Sequence, residues 1–333
     1  MTNKPILILI LLSVVAGGCK KSFLSPEQKD LVYNEVYWKT SKDAERGVLG
    51  VYSLYRGLMV NAQLYNRGDV TTGLINKGWN GGSDANLYQP GDFTNISGTQ
   101  KSWGAMESYA DWNGFYKVVA QDNLVITHLE GMSESLFTKG QKASLLGEAY
   151  FLRALVYYNI ACIWGDAPLL TQSIESSTQV ITTDNTLVNT PRSTDMEVLG
   201  QVLDDAGKAV ANMDYGTPGT DAWGIRANKG SAEALSGYAN LWMAFLKKRE
   251  GQPFDMNITN AVTALEDLVT NGHYSLASYG SADAVLAMFK GKSSEAVFEL
   301  NISADQNESY RVDQGGIEFL TCKLPPLDGD VTK

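Results

Sequence analysis

Residues 147–170 read GEAYFLRALVYYNIACIWGDAPLL. Ala149, Arg153, Tyr157 and Ala161 recur at every fourth position down one face of a helix, and Leu146, Tyr150, Ala154 and Tyr158 down the neighbouring one. Apolar residues on both faces describe a helix with partners on most sides, not one lying on a surface. The run stops sharply: Trp164 ends it, and Gly165, Asp166 and Pro168 prevent continuation. Arg153 is a charge inside this apolar pattern, and a buried guanidinium needs a carboxylate or backbone carbonyls. Glu148 lies on a different face, so the partner is expected from elsewhere in the fold.

Working outward, Trp103, Met106, Tyr109, Phe115, Tyr116, Val119, Asn123 and Ile126 predict a helix over 103–129, and a hinge at 131–139 leads into the helix above. The two make an antiparallel pair of roughly tetratricopeptide length, ~34 residues. Nearer the N-terminus, Thr40 and Asp43 form a capping-box pattern, and Ala44, Val48, Val51, Tyr52, Tyr55 and Leu58 mark one helical face to about residue 59. Beyond Pro168 a polar crossover runs to Arg192. Thr194 and Glu197 then cap a helix carrying Val198, Leu199, Val202, Leu203, Ala206 and Val210. A turn-rich insert at 214–224 holds Tyr215 and Trp223. Ala232, Leu235, Ala239, Trp242, Met243 and Leu246 mark a helix over 227–248, and 261–271 form a shorter one ended by Gly272. Residues 295–302, EAVFELNI, alternate and predict a strand. The expectation is a mostly α fold: tetratricopeptide-like stacked helix pairs with long irregular loop inserts and little β, helices supplying the core and loops the function.

The 147–170 stretch closely resembles the signature helix of the SusD/RagB family, the surface nutrient-binding lipoproteins of Bacteroidetes outer membranes, which runs roughly GEARFLRALYYFNLVRLWGDVPL. The likeness covers more than twenty contiguous positions and includes the WGDxPL exit. Further segments resemble the same family. YWKTSKDAERGVLGVYSLYRGL at 37–58 is similar to its first helix, FWKTxxDAxxALNGxY, and RANKGSAEALSGYANLWMA at 226–244 to its GRANKGAAxALLAKVYL. His273, Tyr274 and Leu276 resemble its GxYxL turn, and 295–300 its EIIFEI segment. The resemblance implies a non-enzymatic protein that captures oligosaccharides, or peptides in the RagB branch, and passes them to a SusC-like TonB-dependent transporter. Family members usually continue past EIIFEI to a helix pair with an LRYADVLLM-like motif. The 333 residues lack it, so the SusD/RagB C-terminal region that begins at 226 is expected to be truncated, after an N-terminal SusD-like region at 19–225.

Residues 1–18 are set apart from the fold. Lys4 is a positive n-region, 6–15 an apolar stretch too short to span a bilayer, and Ala16, Gly17 and Gly18 precede Cys19. Small residues ending at a cysteine resemble a bacterial lipobox, which implies cleavage before Cys19, its lipidation and anchoring to the outer membrane. Of the other cysteines, Cys162 reads as a small core residue, and nothing argues for pairing it with Cys322. The formal charge of −10 argues against a nucleic-acid partner, since no basic patch exists to release counterions.

No cofactor or metal site is expected. His128 and His273 are the only histidines and lie far apart, and His128 reads as a helix-end dipole partner. Asp204-Asp205 and Glu266-Asp267 are adjacent on helices, do not face each other, and read as solvated surface. Residues 65–100 are rich in Gly, Asn, Asp, Ser and Thr, and a loop of that length in a compact domain is often functional. Within it Trp79 and Tyr88 offer stacking faces for sugar rings, and Arg67, Asn80 and Asp84 offer hydrogen bonds to hydroxyls. Two readings stand for the aromatics: a ligand platform, or plugs for the helical core. Trp103, Trp112, Trp164 and Trp242, on helices, read as core. Two other functions remain open beside ligand capture, a surface lipoprotein hydrolase on a helical scaffold and a helical-repeat adaptor for proteins.

Overall fold

A computed structural model describes residues 37–61, 111–175, 179 and 190–300. Cys19, Arg67, Trp79, Asn80, Asp84, Tyr88, Trp103 and Cys322 lie outside the described residues. Among those described there are seven α-helices: α1 Ser41–Asn61, α2 Asn113–Gly131, α3 Gln141–Trp164, α4 Asp195–Asn212, α5 Lys229–Arg249, α6 Asp255–Asn271 and α7 Ala282–Phe289. No strand occurs among them. The one β feature is an isolated bridge between Ala167 and Ser193.

The 147–164 stretch is the centre, as its all-round apolar pattern requires. Residues 147–154 are all buried, because α3 packs against α1, α2, α4 and α5. Close approach of α4 is possible because position 147 is glycine; a Cβ there would collide with the Met213 side chain. α5 in turn carries α4 on one side and α6 on the other, in the manner of stacked helix pairs. Local signals set most helix starts. Thr40 and Asp43 bond reciprocally (2.9 and 3.3 Å), and Thr194 and Glu197 complete a capping box. At α5 the Asn228 side chain accepts from Gly230 and Ser231.

Several expectations are corrected. Helix α2 starts at Asn113, since the Asp111 carboxylate accepts the Asn113 N–H at 2.7 Å and holds 111–112 in a turn. Helix α6 starts at Asp255, six residues before the expected 261; its first turns bury Asn257, not an apolar residue, so the apolar period fails there. Residues 295–300 are not a strand. No strand among the described residues runs beside them to form a ladder. Instead Glu299 N donates to Gly224 O (2.6 Å), and the Phe298 ring packs on Phe151 (5.0 Å). Cys162 is free and exposed: a helix apolar on all faces does not reveal which stripe outruns its neighbours. Asp205 is fully buried, and Asp267 is half-buried in an ion pair with Lys229 (2.9 Å), so neither is a bare solvated charge. Trp112, Trp164 and Trp242 are half-buried.

Candidate functional site

The charge that stood out in the sequence ties three helices and a loop. Arg153 on α3 donates Nε and Nη2 to the two carboxylate oxygens of Asp205 on α4 (2.8 and 2.7 Å). Its Nη1 donates to Asn123 Oδ1 on α2 (2.8 Å) and to the Thr171 carbonyl (3.2 Å). Arg153 and Asp205 are both buried, where a forked guanidinium–carboxylate pair is strongest. Asp122, beside them on α2, is fully buried, and neither of its oxygens has a hydrogen-bond partner among the described residues. Burial pushes its carboxyl well above the usual range, with Arg153 opposing.

The same helices hold the segment that leaves α3. Gly165 turns the chain at φ 70°, a conformation glycine adopts without strain. Trp164 packs edge-on against Phe115 (5.0 Å) and Trp112 (6.0 Å). The Asp166 carboxylate accepts the first-turn N–H of Asp195 (2.9 Å). Tyr116 donates to the Pro168 carbonyl (2.5 Å), and burial pushes that phenol up to about 12. Tyr157 donates to the Leu170 carbonyl and accepts from the Leu170 N–H, both at 2.7 Å. Asn123 Nδ2 reaches the carbonyls of Leu170 (3.0 Å) and Gln172 (3.3 Å). Residues 165–172 are thus held through their own backbone, so this loop is a fixed wall.

That wall, with α2, α3 and α4, encloses an open polar groove of about 610 Å³. Arg153 and Tyr150 form its floor. Glu130 stands on the α2 side, accepting the Tyr150 hydroxyl. Gln201, Asp204 and Lys208 project from one face of α4, and Gln172, Ser173 and Glu175 from the loop. Lys208 bonds Asp204 (2.7 Å) and lies over the Tyr150 ring (5.2 Å). Glu175 accepts from Ser173 (3.0 Å) and contacts His128 in the last turn of α2 (3.1 Å). The groove holds donors and acceptors in mixture and is suited to binding.

A second polar cluster joins α1, α3 and the start of α5. Glu148 accepts from Tyr52 (2.8 Å) and twice from Arg226 (2.9 and 2.7 Å), and Tyr52 accepts the Ala227 N–H (2.8 Å). Burial raises the Glu148 carboxyl and the Arg226 bonds lower it. Its groups are mutually satisfied, so it reads as a strut. No group of three or more metal-ligating side chains occurs among the described residues.

The two aromatics of the 214–224 insert do not offer an open platform. Trp223 is buried and donates to the Ser293 carbonyl (2.8 Å). Tyr215 donates to Glu233 (2.9 Å), and Lys229 covers its ring at 4.6 Å. The polar groove itself was missed in the sequence. Arg153 pointed to it, but the faces of α2 and α4 that line it carry ordinary surface residues, and only packing brings them together.

Comparison with known proteins fits this architecture. A family model described as "Starch-binding associating with outer membrane" matches residues 77–215. The SusD-like protein P38 of Formosa agariphila is 28% identical over 211 residues, which are 63% of this chain and 38% of that protein. A SusD homologue from Bacteroides thetaiotaomicron superposes with a TM-score of 0.67 at 22% identity, over 83% of this chain and 56% of that one. A laminarin-binding SusD-like protein superposes at 0.50 and 22% identity, over 72% and 45%. The chain therefore spans about half the length, or less, of these relatives. The family model, the curated relatives and the superposed structures point the same way: in sequence and in its stacked helices this chain is similar to SusD-like proteins.

Proposed function

We propose that this chain is a lipid-anchored, surface-exposed binding protein of the outer membrane. It captures oligosaccharide and passes it to a SusC-like TonB-dependent transporter, without chemistry of its own. The observation that carries the reading is the family match across 77–215, which contains the signature helix and most of the loop with the candidate platform. In that loop Trp79 and Tyr88 supply stacking faces, and Arg67, Asn80 and Asp84 bond hydroxyls. The name of the laminarin-binding relative supports a glycan over a peptide. Cys19 carries the lipid.

The test is a glycan and peptide array probed with the mature chain, followed by Trp79→Ala and Tyr88→Ala. Binding to glycans that both variants lose, with unchanged melting, supports the reading. A fall in stability of about 3–5 kcal/mol would assign the rings to packing instead. Binding to peptides alone would move the protein to the peptide branch of the family.

A further inference from the structure

We infer that the polar groove between α2, α3, α4 and the 171–175 wall is a second binding site, for one or two rings of an uncharged saccharide, built from residues other than those proposed for the loop platform. The inference rests on the glycan-capture reading above and adds a site to it.

Four features select the ligand. First, the space is right: about 610 Å³ lies within the usual range for a small-molecule site, ~300–1,000 Å³. Second, the groove is built on a fixed frame. Its floor is a buried guanidinium held by Asp205, Asn123 and Thr171, and its loop wall is tied to that frame where the Thr171 and Gln172 carbonyls accept from Arg153 and Asn123. Third, hydrogen-bonding capacity is left over. Arg153 uses four of its five N–H groups, and the side-chain amides of Gln172 and Gln201 make no hydrogen bond among the described residues. Asp204 uses one oxygen, toward Lys208. A sugar hydroxyl both donates and accepts, and this mixture of N–H donors, amides and carboxylate oxygens can meet both roles.

Fourth, charge excludes the obvious alternative. The positive charge of Arg153 is matched by Asp205, and that of Lys208 by Asp204. Glu130 and Glu175 remain on the rim, with His128 against Glu175. Among the described residues lining the groove, an anionic ligand would meet carboxylates and cations already matched by them. The Tyr150 ring is covered by Lys208 and approached by the Arg153 guanidinium (5.6 Å). Recognition here therefore runs through hydroxyls at the ring edge, not through stacking, the reverse of what the loop platform would do.

The experiment titrates the mature chain with maltose, cellobiose and laminaribiose by ligand-observed NMR. It compares wild type, Gln172→Leu/Gln201→Leu, and Trp79→Ala/Tyr88→Ala. The groove amides make no bond among the described residues, so the first double variant should melt like wild type. The expected result is at least a tenfold weaker response to one of these disaccharides in the groove variant, and a surviving groove signal in the loop variant. Disaccharide binding unchanged in the groove variant, and abolished in the loop variant, would overturn the groove and leave glycan capture standing. No response to any of the three, by a chain that does bind longer glycans on the array, also overturns it. No glycan binding in either assay overturns both. If the groove variant melts early, Asp204→Asn, at an exposed position, repeats the comparison with the same two outcomes.

Discussion

Removing the Arg153 guanidinium leaves Asp205 fully buried with no cation, and breaking a buried pair from one side costs about 3–5 kcal/mol. Arg153→Met should lower stability by that order in urea unfolding, and Arg153→Met/Asp205→Leu should recover much of it, because no orphan charge remains. A double variant as unstable as the single one would show that the loop carbonyl and Asn123, not the ion pair, dominate. Asp122 makes the opposite case. Its folded-state carboxyl lies above the ordinary 3.8 because burial disfavours the charge. Between those two values the folded chain holds a proton that the unfolded chain releases, so stability falls as pH rises through the window and stays reduced above it. Asp122→Asn should be more stable than wild type at about pH 8, by on the order of 1–3 kcal/mol, and the gap should close toward about pH 4. Thermal melts across that range check it; a gap independent of pH would refute the assignment. The need for a partner at Arg153 was readable from one charge in an apolar helix. The identity of that partner was not, since Asp205 sits beside Asp204 and only α4's rotation sends one inward and the other to water.

For the elements, the exit of α3 turns on Tyr157, whose hydroxyl serves both the N–H and the carbonyl of Leu170. Tyr157→Phe leaves both groups without that partner in a part-buried place and should cost about 1–3 kcal/mol. Hydrogen exchange at the Leu170 amide should quicken more than at amides within α3; equal acceleration throughout would mean a general loss of stability, not a loosened wall. Capping boxes at 40/43 and 194/197 were legible because both partners lie within one helical turn. The start of α6 was not, because Asn257 occupies a core position through bonds to Asn240 (3.0 Å) and Lys247 (2.8 Å). The alternation at 295–300 was real in part, with Ala296 buried, but a strand exists only where another strand supplies its ladder.

For the whole molecule, none of the described helices is long and apolar enough to cross a membrane. The anchoring proposed here rests on Cys19, so Cys19→Ala should move the protein from the membrane fraction to the soluble one, and a variant that still sediments with membranes would remove the lipid anchor from the reading. By itself the sequence determined the helical class, the central helix and its sharp stop, the capping boxes and the family likeness, all of which rest on patterns local to a few turns of chain. Only the tertiary structure decided that Asp205 answers Arg153, that the WGDxPL exit becomes a wall, and that faces of α2 and α4 with no pattern of their own enclose a polar groove. Those features join residues from 13 positions apart, as in Tyr157 and Leu170, to 52 apart, as in Arg153 and Asp205, and the energy that selects them comes from packing and from burying charge, which no local spacing records.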